Sequence, residues 1–177
     1  MNNPYAKIPE VQEFILKSSD ITSNQSIPSI HLSGLFGIPG GEDVSPELSW
    51  EGAPEGTKSF AVTMYDPDAP TGSGFWHWAV VNIPANVTDL PRNAGIPDGA
   101  NLPNGAYQLP NDARTARFIG AAPPAGHGVH RYYFVVHALD VEDIGVGAEA
   151  TPAFLGFNMF GHTLGRAMIV AHAEVKE

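Results

Sequence analysis

The chain has 177 residues, 43% hydrophobic and 16% charged, with 19 acidic against 9 basic side chains and a formal charge of −10. That length and balance fit one globular domain, residues 1–177, large enough to bury a core. They argue against a nucleic-acid groove or a polybasic membrane surface, both of which need clustered Lys and Arg. Cysteine is absent, which excludes disulfide and thiolate chemistry.

With 19 Gly and 16 Pro, the chain favours many turns and short strands over a helical bundle. No run approaches the roughly 18 apolar residues of a transmembrane helix. The opening MNNPYAKIPEVQEF has neither a basic n-region nor an apolar h-region, so no secretory signal is expected and cytoplasmic is the default location. In chain order, EFILKSSDI (13–21) reads as a strand, followed by a Gly/Pro-rich loop, HLSGLFGIPGGEDVSPELSW. SFAVTMYD (59–66) alternates cleanly, and WHWAVVNIP (76–84) is β-branched and aromatic, hence a second strand. Residues 85–128 are dominated by turn formers, with short extended pieces such as RFIG. RYYFVVHALDV (131–141) is the strongest strand. TPAFLGFNMFGHTLGRA reads as a helix with Thr151 as N-cap and Pro152 at its first position, burying Ala153, Phe154, Phe157, Met159 and Phe160. MIVAHAEVK (168–176) closes the chain as a strand. The sum is a mostly β fold, a two-sheet antiparallel sandwich with one helix near the C-terminus.

Side chains alternate faces along a strand, which makes the polar residues informative. Asp66 shares parity with Phe60, Val62 and Met64; His130 and Tyr132 share it with Phe134, Val136 and Ala138; His77 shares it with Ala79 and Val81. Each strand thus ends in polar groups that continue an apolar row, and convergence of those ends would form a small polar pocket at the rim of the core. Ordinary readings stand beside this one. Asp-Pro-Asp is also a turn sequence, a strand-end histidine is also a satisfied structural residue, and Trp76 and Trp78 also serve as packing. His31, His127, His137, His162 and His172 fall in no pattern that points to chemistry.

DPDAP (66–70), the WHWAVVN run (76–82) and GAAPPAGHGVHRYYF (120–134), in that order and with SPELSW upstream, closely resemble the phosphatidylethanolamine-binding protein (PEBP) family. The likeness is to its bacterial Raf kinase inhibitor-like branch of the YbhB/YbcL type. It implies a large antiparallel sheet packed on a smaller one, with a shallow anion-binding pocket at one end. Carried over, the ligand-binding residues are Asp66, Ala69, Pro70, His77, Gly120, Pro123, Pro124, His130 and Tyr132. Asp68, Arg131, Phe75 and Trp76 stand at the edge, with Arg131 read as pairing Asp68. The loop TGSGFW is shorter than in eukaryotic members and lacks their pocket tyrosine, with Phe75 near its place, and GAAPP puts Ala122 in a glycine position.

Two histidines and a tyrosine without an evident nucleophile favour non-enzymatic binding of a small anionic ligand, a carboxylate, phosphate or phospholipid headgroup, with no cofactor and no metal. A carboxylate beside His77 or His130 would favour the imidazolium and aim its other nitrogen outward as a donor. The first alternative is inhibition or regulation of a kinase or protease as protein target. The second is a hydrolase using Asp66, Asp68, His77 and His130 on a metal, or Ser73 as nucleophile. That reading lacks both tight metal-ligand spacing and a strand–turn–helix nucleophile elbow. Bacterial relatives often pair, which carries a homodimer into the expectation.

Overall fold

The computed structural model describes residues 2–177. Among these residues nine strands and one α-helix, besides a single 3-10 turn at Ser29–His31, follow the chain: β1 (Gln12–Glu13), β2 (Ile15–Lys17), β3 (Leu48–Glu51), β4 (Ser59–Asp66), β5 (Phe75–Pro84), β6 (Asp89–Leu90), β7 (Tyr107–Gln108), β8 (His130–Leu139), α1 (Pro152–Met159) and β9 (Thr163–Ala173). They form a six-stranded sheet of order β1-β9-β8-β4-β5-β7 and a three-stranded sheet of order β2-β3-β6. The fold is mostly β and two-sheeted, as the sequence predicts, with one exception to antiparallel pairing: β1 runs parallel to β9. No helix among the described residues is long and apolar enough to cross a membrane.

The predicted strand over 13–21 is in fact a crossover. Gln12–Glu13 pair with β9 in the large sheet, whereas Ile15–Lys17 pair with β3 in the small one. Phe14 is the hinge between them, buried with its ring 6.3 Å from that of Phe60. One residue thus ties the two sheets together.

Alternation on the long strands builds two cores. Phe60, Val62, Met64, Trp78, Val80, Phe134 and Val136 point toward the small sheet and pack on Leu48, Trp50 and Leu90. Ala61, Ala79, Val81 and Leu139 point the other way, beneath Leu155 and Met159 of α1. Central strands covered on both faces lose water from both, so β4 is buried at every position but Tyr65. The Trp78 indole N–H donates to Gln108 Oε1 at 2.7 Å, a buried donor satisfied inside the core, so Trp78 is a packing residue.

The C-terminal helix starts as predicted: Thr151 Oγ1 accepts from Phe154 N at 3.1 Å, and Pro152 occupies the first turn. Its buried face differs. Pro152, Leu155 and Met159, spaced three and four apart, face inward, while Phe154, Phe157 and Phe160 are 48, 77 and 68% exposed and Ala153 is exposed too. The helix also ends at Met159, and β9 begins at Thr163 rather than at Met168, because residues 163–173 find a full partner in β8.

Candidate functional site

Asp66 ends β4 on the face of that strand that points into the inter-sheet core. It is 2% exposed, and both carboxylate oxygens are engaged: Oδ1 accepts from Asp68 N at 2.8 Å and Oδ2 from His130 Nδ1 at 2.7 Å. The turn reading and the site reading of Asp-Pro-Asp are therefore both true of the same side chain. The turn is held in place by Arg131, whose Nε and Nη2 each donate to the Asp68 carboxylate at 2.8 Å and whose backbone N–H donates at 2.9 Å. This bidentate clamp holds the Asp68 carboxyl below its usual range, chiefly through the guanidinium hydrogen bonds. It also ties up the cation nearest the site, so Arg131 is structural.

His77 reaches the site by a route that parity does not foresee. Its parity partners Ala79 and Val81 lie in the other core, under α1. Between Met64↔Trp78 and Tyr65↔Trp76, however, one step on β4 spans two on β5. The extra residue of this β-bulge is His77, and the bulge re-aims it to the side of Asp66 and His130. There His77 lines the same cavity as both and sits edge-on to Tyr132 with ring centres 5.4 Å apart. Its Nδ1–H donates to Ile119 O at 2.9 Å, and burial pushes its pKa down to about 4. His77 is thus neutral at physiological pH, which corrects the expectation of an imidazolium at this position: its ring is backed by a carbonyl, and Asp66 raises its pKa too little to offset burial.

His130 opens β8 and is 1% exposed. With Nδ1 engaged by Asp66, its Nε2 does not point free into the cavity; it lies 2.7 Å from His127 Nδ1. His127 belongs to the exposed APPAGHG loop, and nothing in the sequence singles it out beyond a histidine three residues before another.

The cavity, of about 230 Å³, is lined by Asp66, His77 and His130 at its polar end, with Ala69, Thr71 and Ala122 on its walls. Phe36, Pro70, Phe75 and Pro124 complete an apolar rim. Phe75 stands 4.7 Å from the His77 ring, and Phe36 meets Phe75 edge-on at 6.1 Å. Phe36 and Thr71 were not expected at the site. Phe36 is placed by Asp43, 6% exposed, whose Oδ1 accepts from Gly120 N and whose Oδ2 accepts from Leu35 N, both at 2.9 Å.

Four expected residues stand behind or beside the lining instead of in it. Gly120 is buried where Leu32 backbone crosses it so closely that a Cβ would lie 2.3 Å from Leu32 C; it is a glycine for packing. Pro123 is buried. Tyr132 is fully buried; its hydroxyl makes no hydrogen bond of normal geometry, and burial, then the Asp66 charge, raises its pKa far above the usual tyrosine value. Trp76 faces the other way, 4.3 Å from the Tyr65 ring. No group of three or more His, Cys, Asp and Glu among the described residues is arranged to hold a metal ion.

The family described as Phosphatidylethanolamine-binding protein matches residues 17–174. The chain is 48% identical over 163 residues to the UPF0098 protein YbcL of Escherichia coli K12, covering 92% of this chain and 88% of that one. It is 47% identical over 156 residues to YbhB of the same organism, covering 88% and 97%. The crystal structure of E. coli YbcL superposes with a TM-score of 0.89, covering 93% of this chain and 100% of the other. A carboxypeptidase Y inhibitor solved with its cognate proteinase shares the fold at 18% identity, with a TM-score of 0.55 over 93% of this chain and 84% of the other. With most of its length matched by that family and by these bacterial relatives, the chain belongs to the phosphatidylethanolamine-binding protein family.

Proposed function

We propose that the chain is a non-enzymatic binder of small phosphate-bearing or other oxyanionic ligands, held in the cavity between Asp66, His77 and His130. The observation that carries this reading is the meeting of two buried imidazoles, from separate strands, on one cavity of about 230 Å³. That volume suits a headgroup-sized molecule and is too small for a folded peptide. With His77 Nδ1–H engaged by Ile119 O, Nε2 is the atom it can offer. Neutral, that nitrogen accepts from the hydroxyl of a protonated phosphate; once the ligand's charge draws a proton onto it, it donates. His130, held by the Asp66 carboxylate, lines the same cavity beside the ligand's oxygens. The rim of Phe36, Pro70, Phe75 and Pro124 receives an ester substituent and keeps water away, which strengthens each charge-assisted bond inside.

The family's description supports a phospholipid headgroup as one source of that oxyanion. Free phosphate is the other, and the two share their chemistry at the imidazoles. Calorimetric titration with inorganic phosphate and with phosphoethanolamine, from about pH 5 to about pH 8, tests the reading. Saturable binding that disappears in His130→Ala is the expected result, and tighter binding of phosphoethanolamine identifies the headgroup. No binding at any pH, or binding indifferent to His130→Ala, contradicts it.

A regulatory contact with a protease or kinase is the second reading. It draws on the fold shared with the carboxypeptidase Y inhibitor and on Phe154, Phe157 and Phe160, an exposed apolar set that does not line the cavity. Anion binding with no dependence on these three residues, and target binding with no dependence on His130, would separate the two.

A further inference from the structure

Asp66, His130 and His127 form an unbroken chain of short hydrogen bonds from a buried carboxylate to solvent. The links are 2.7 Å from Asp66 Oδ2 to His130 Nδ1 and 2.7 Å from His130 Nε2 to His127 Nδ1. Burial changes sharply along it: Asp66 is 2% exposed, His130 is 1% exposed, and His127 lies in the exposed loop. Since an ionised Asp66 only accepts, His130 Nδ1 carries a hydrogen. His130 Nε2 and His127 Nδ1 are both ring nitrogens at hydrogen-bond distance, so one hydrogen is shared between them and the pair holds it in every state.

A proton added to this pair enters at His127 Nε2, the ring nitrogen left without a partner inside the chain. Moving the shared hydrogen from His127 Nδ1 to His130 Nε2 then puts the positive charge on His130. His127 is left as the neutral tautomer protonated on Nε2. One proton comes in, one N–H bond forms at His127, the shared hydrogen changes partner, and no ion crosses the apolar rim. The cavity lining holds no Lys or Arg, and Arg131 is locked on Asp68, so positive charge in the site comes by protonation, and this route delivers it to His130.

Resting on the oxyanion-binding reading, we infer that His127 is the site's proton port and that a phosphate-type oxyanion enters together with a proton relayed to His130. The charged and titratable groups around the pair fit a single positive charge. Asp66 comes from β4, Asp68 and Arg131 from the clamp, His77 from β5 and Tyr132 from β8. From the C-terminal segment, the Glu177 carboxylate sits 2.7 Å from where a side chain on Gly126 would begin, next to His127. A second added proton cannot be held without breaking the His127–His130 bond, because both facing nitrogens would then be donors.

Nitrogen-15 NMR of the histidine rings in the full chain without ligand, from about pH 5 to about pH 8, reads the relay directly. His127 and His130 are expected to titrate with one common midpoint. In His127→Asn, whose side-chain amide can still pair with His130 Nε2 but cannot titrate, the His130 midpoint should move away from the common one. Separate midpoints, or a His130 midpoint indifferent to His127→Asn, overturn the inference.

Calorimetry with inorganic phosphate in two buffers of different ionisation enthalpy then counts protons. About one should be taken up per phosphate by the natural chain, so that affinity rises as pH falls through the common midpoint, and at most half as many by His127→Asn. Phosphate binding with no proton uptake removes the relay but leaves the binder. A shared midpoint with no phosphate binding keeps the proton port and removes the ligand reading.

Discussion

Strand β8 carries the same chemical pair at each of its ends. At its start His130 Nδ1 lies 2.7 Å from Asp66, and just past its finish His162 Nδ1 lies 2.8 Å from Asp140. The side chains are 1% and 3% exposed in the first pair and 45% and 41% in the second. Around Asp140–His162, water can replace either partner. Around Asp66–His130 it cannot, and each remaining polar atom has its own protein partner: Asp68 N for the second carboxylate oxygen and His127 for the second imidazole nitrogen. The same chemical pair has every lone pair and hydrogen assigned only where burial forces it.

The largest expected difference between the two ends is in stability. Asp66→Ala strips a buried partner from His130 and from Asp68 N, and urea unfolding should show a loss of about 3–5 kcal/mol. A loss no greater than that of a surface pair would contradict the distinction.

A pH effect comes next, and it belongs to His77 and His137, both buried without a carboxylate partner. Burial pushes His77 down to about 4 and His137 to about 3, against 6.5 for a free imidazole. Both are neutral in the folded chain, while the unfolded chain takes up protons as pH falls through about 6.5. Their contribution is therefore fully present above that pH and is lost on acidification toward 4, by up to about 1.4 kcal/mol per pH unit for each. Unfolding midpoints measured in that window should fall with pH, and His77→Phe or His137→Phe should each flatten the slope. An unchanged slope in both variants would mean that neither ring is held neutral by burial.

The smallest effect sharpens the contrast from the other side. Asp140→Ala should change stability by no more than about 1 kcal/mol, because an exposed pair gains little over its hydration. A loss as large as that of Asp66→Ala would show that burial is not what separates the two ends of β8.

The long strands were legible in the sequence because period-two alternation survives in β4, β5 and β8 wherever both faces are packed. Asp66 and His130 followed from that alternation. His77 did not, because the bulge between Met64 and Tyr65 inverts its face, and an extra residue in a strand leaves no local mark when its neighbours are all good β formers. The buried face of α1 departs from apolarity alone: its phenylalanines are more apolar than Pro152, but Pro152, Leu155 and Met159 share one side of the helix. Phe14 as a crossover, Asp43 as the anchor of the Phe36 loop and His127 as a partner of His130 depend on contacts between distant segments or on loop geometry, which no periodicity encodes. The family motifs located the cavity's neighbourhood, while Gly120, Pro123, Tyr132 and Trp76 turned out to support or flank it.

A crystal soaked in phosphate tests the central claim most directly. One oxyanion should occupy the cavity, within about 3.2 Å of His77 Nε2 and against the His130 ring, inside the rim of Phe36 and Phe75. Density for phosphate only elsewhere on the surface, or a cavity that stays filled by solvent at saturating phosphate, would contradict it.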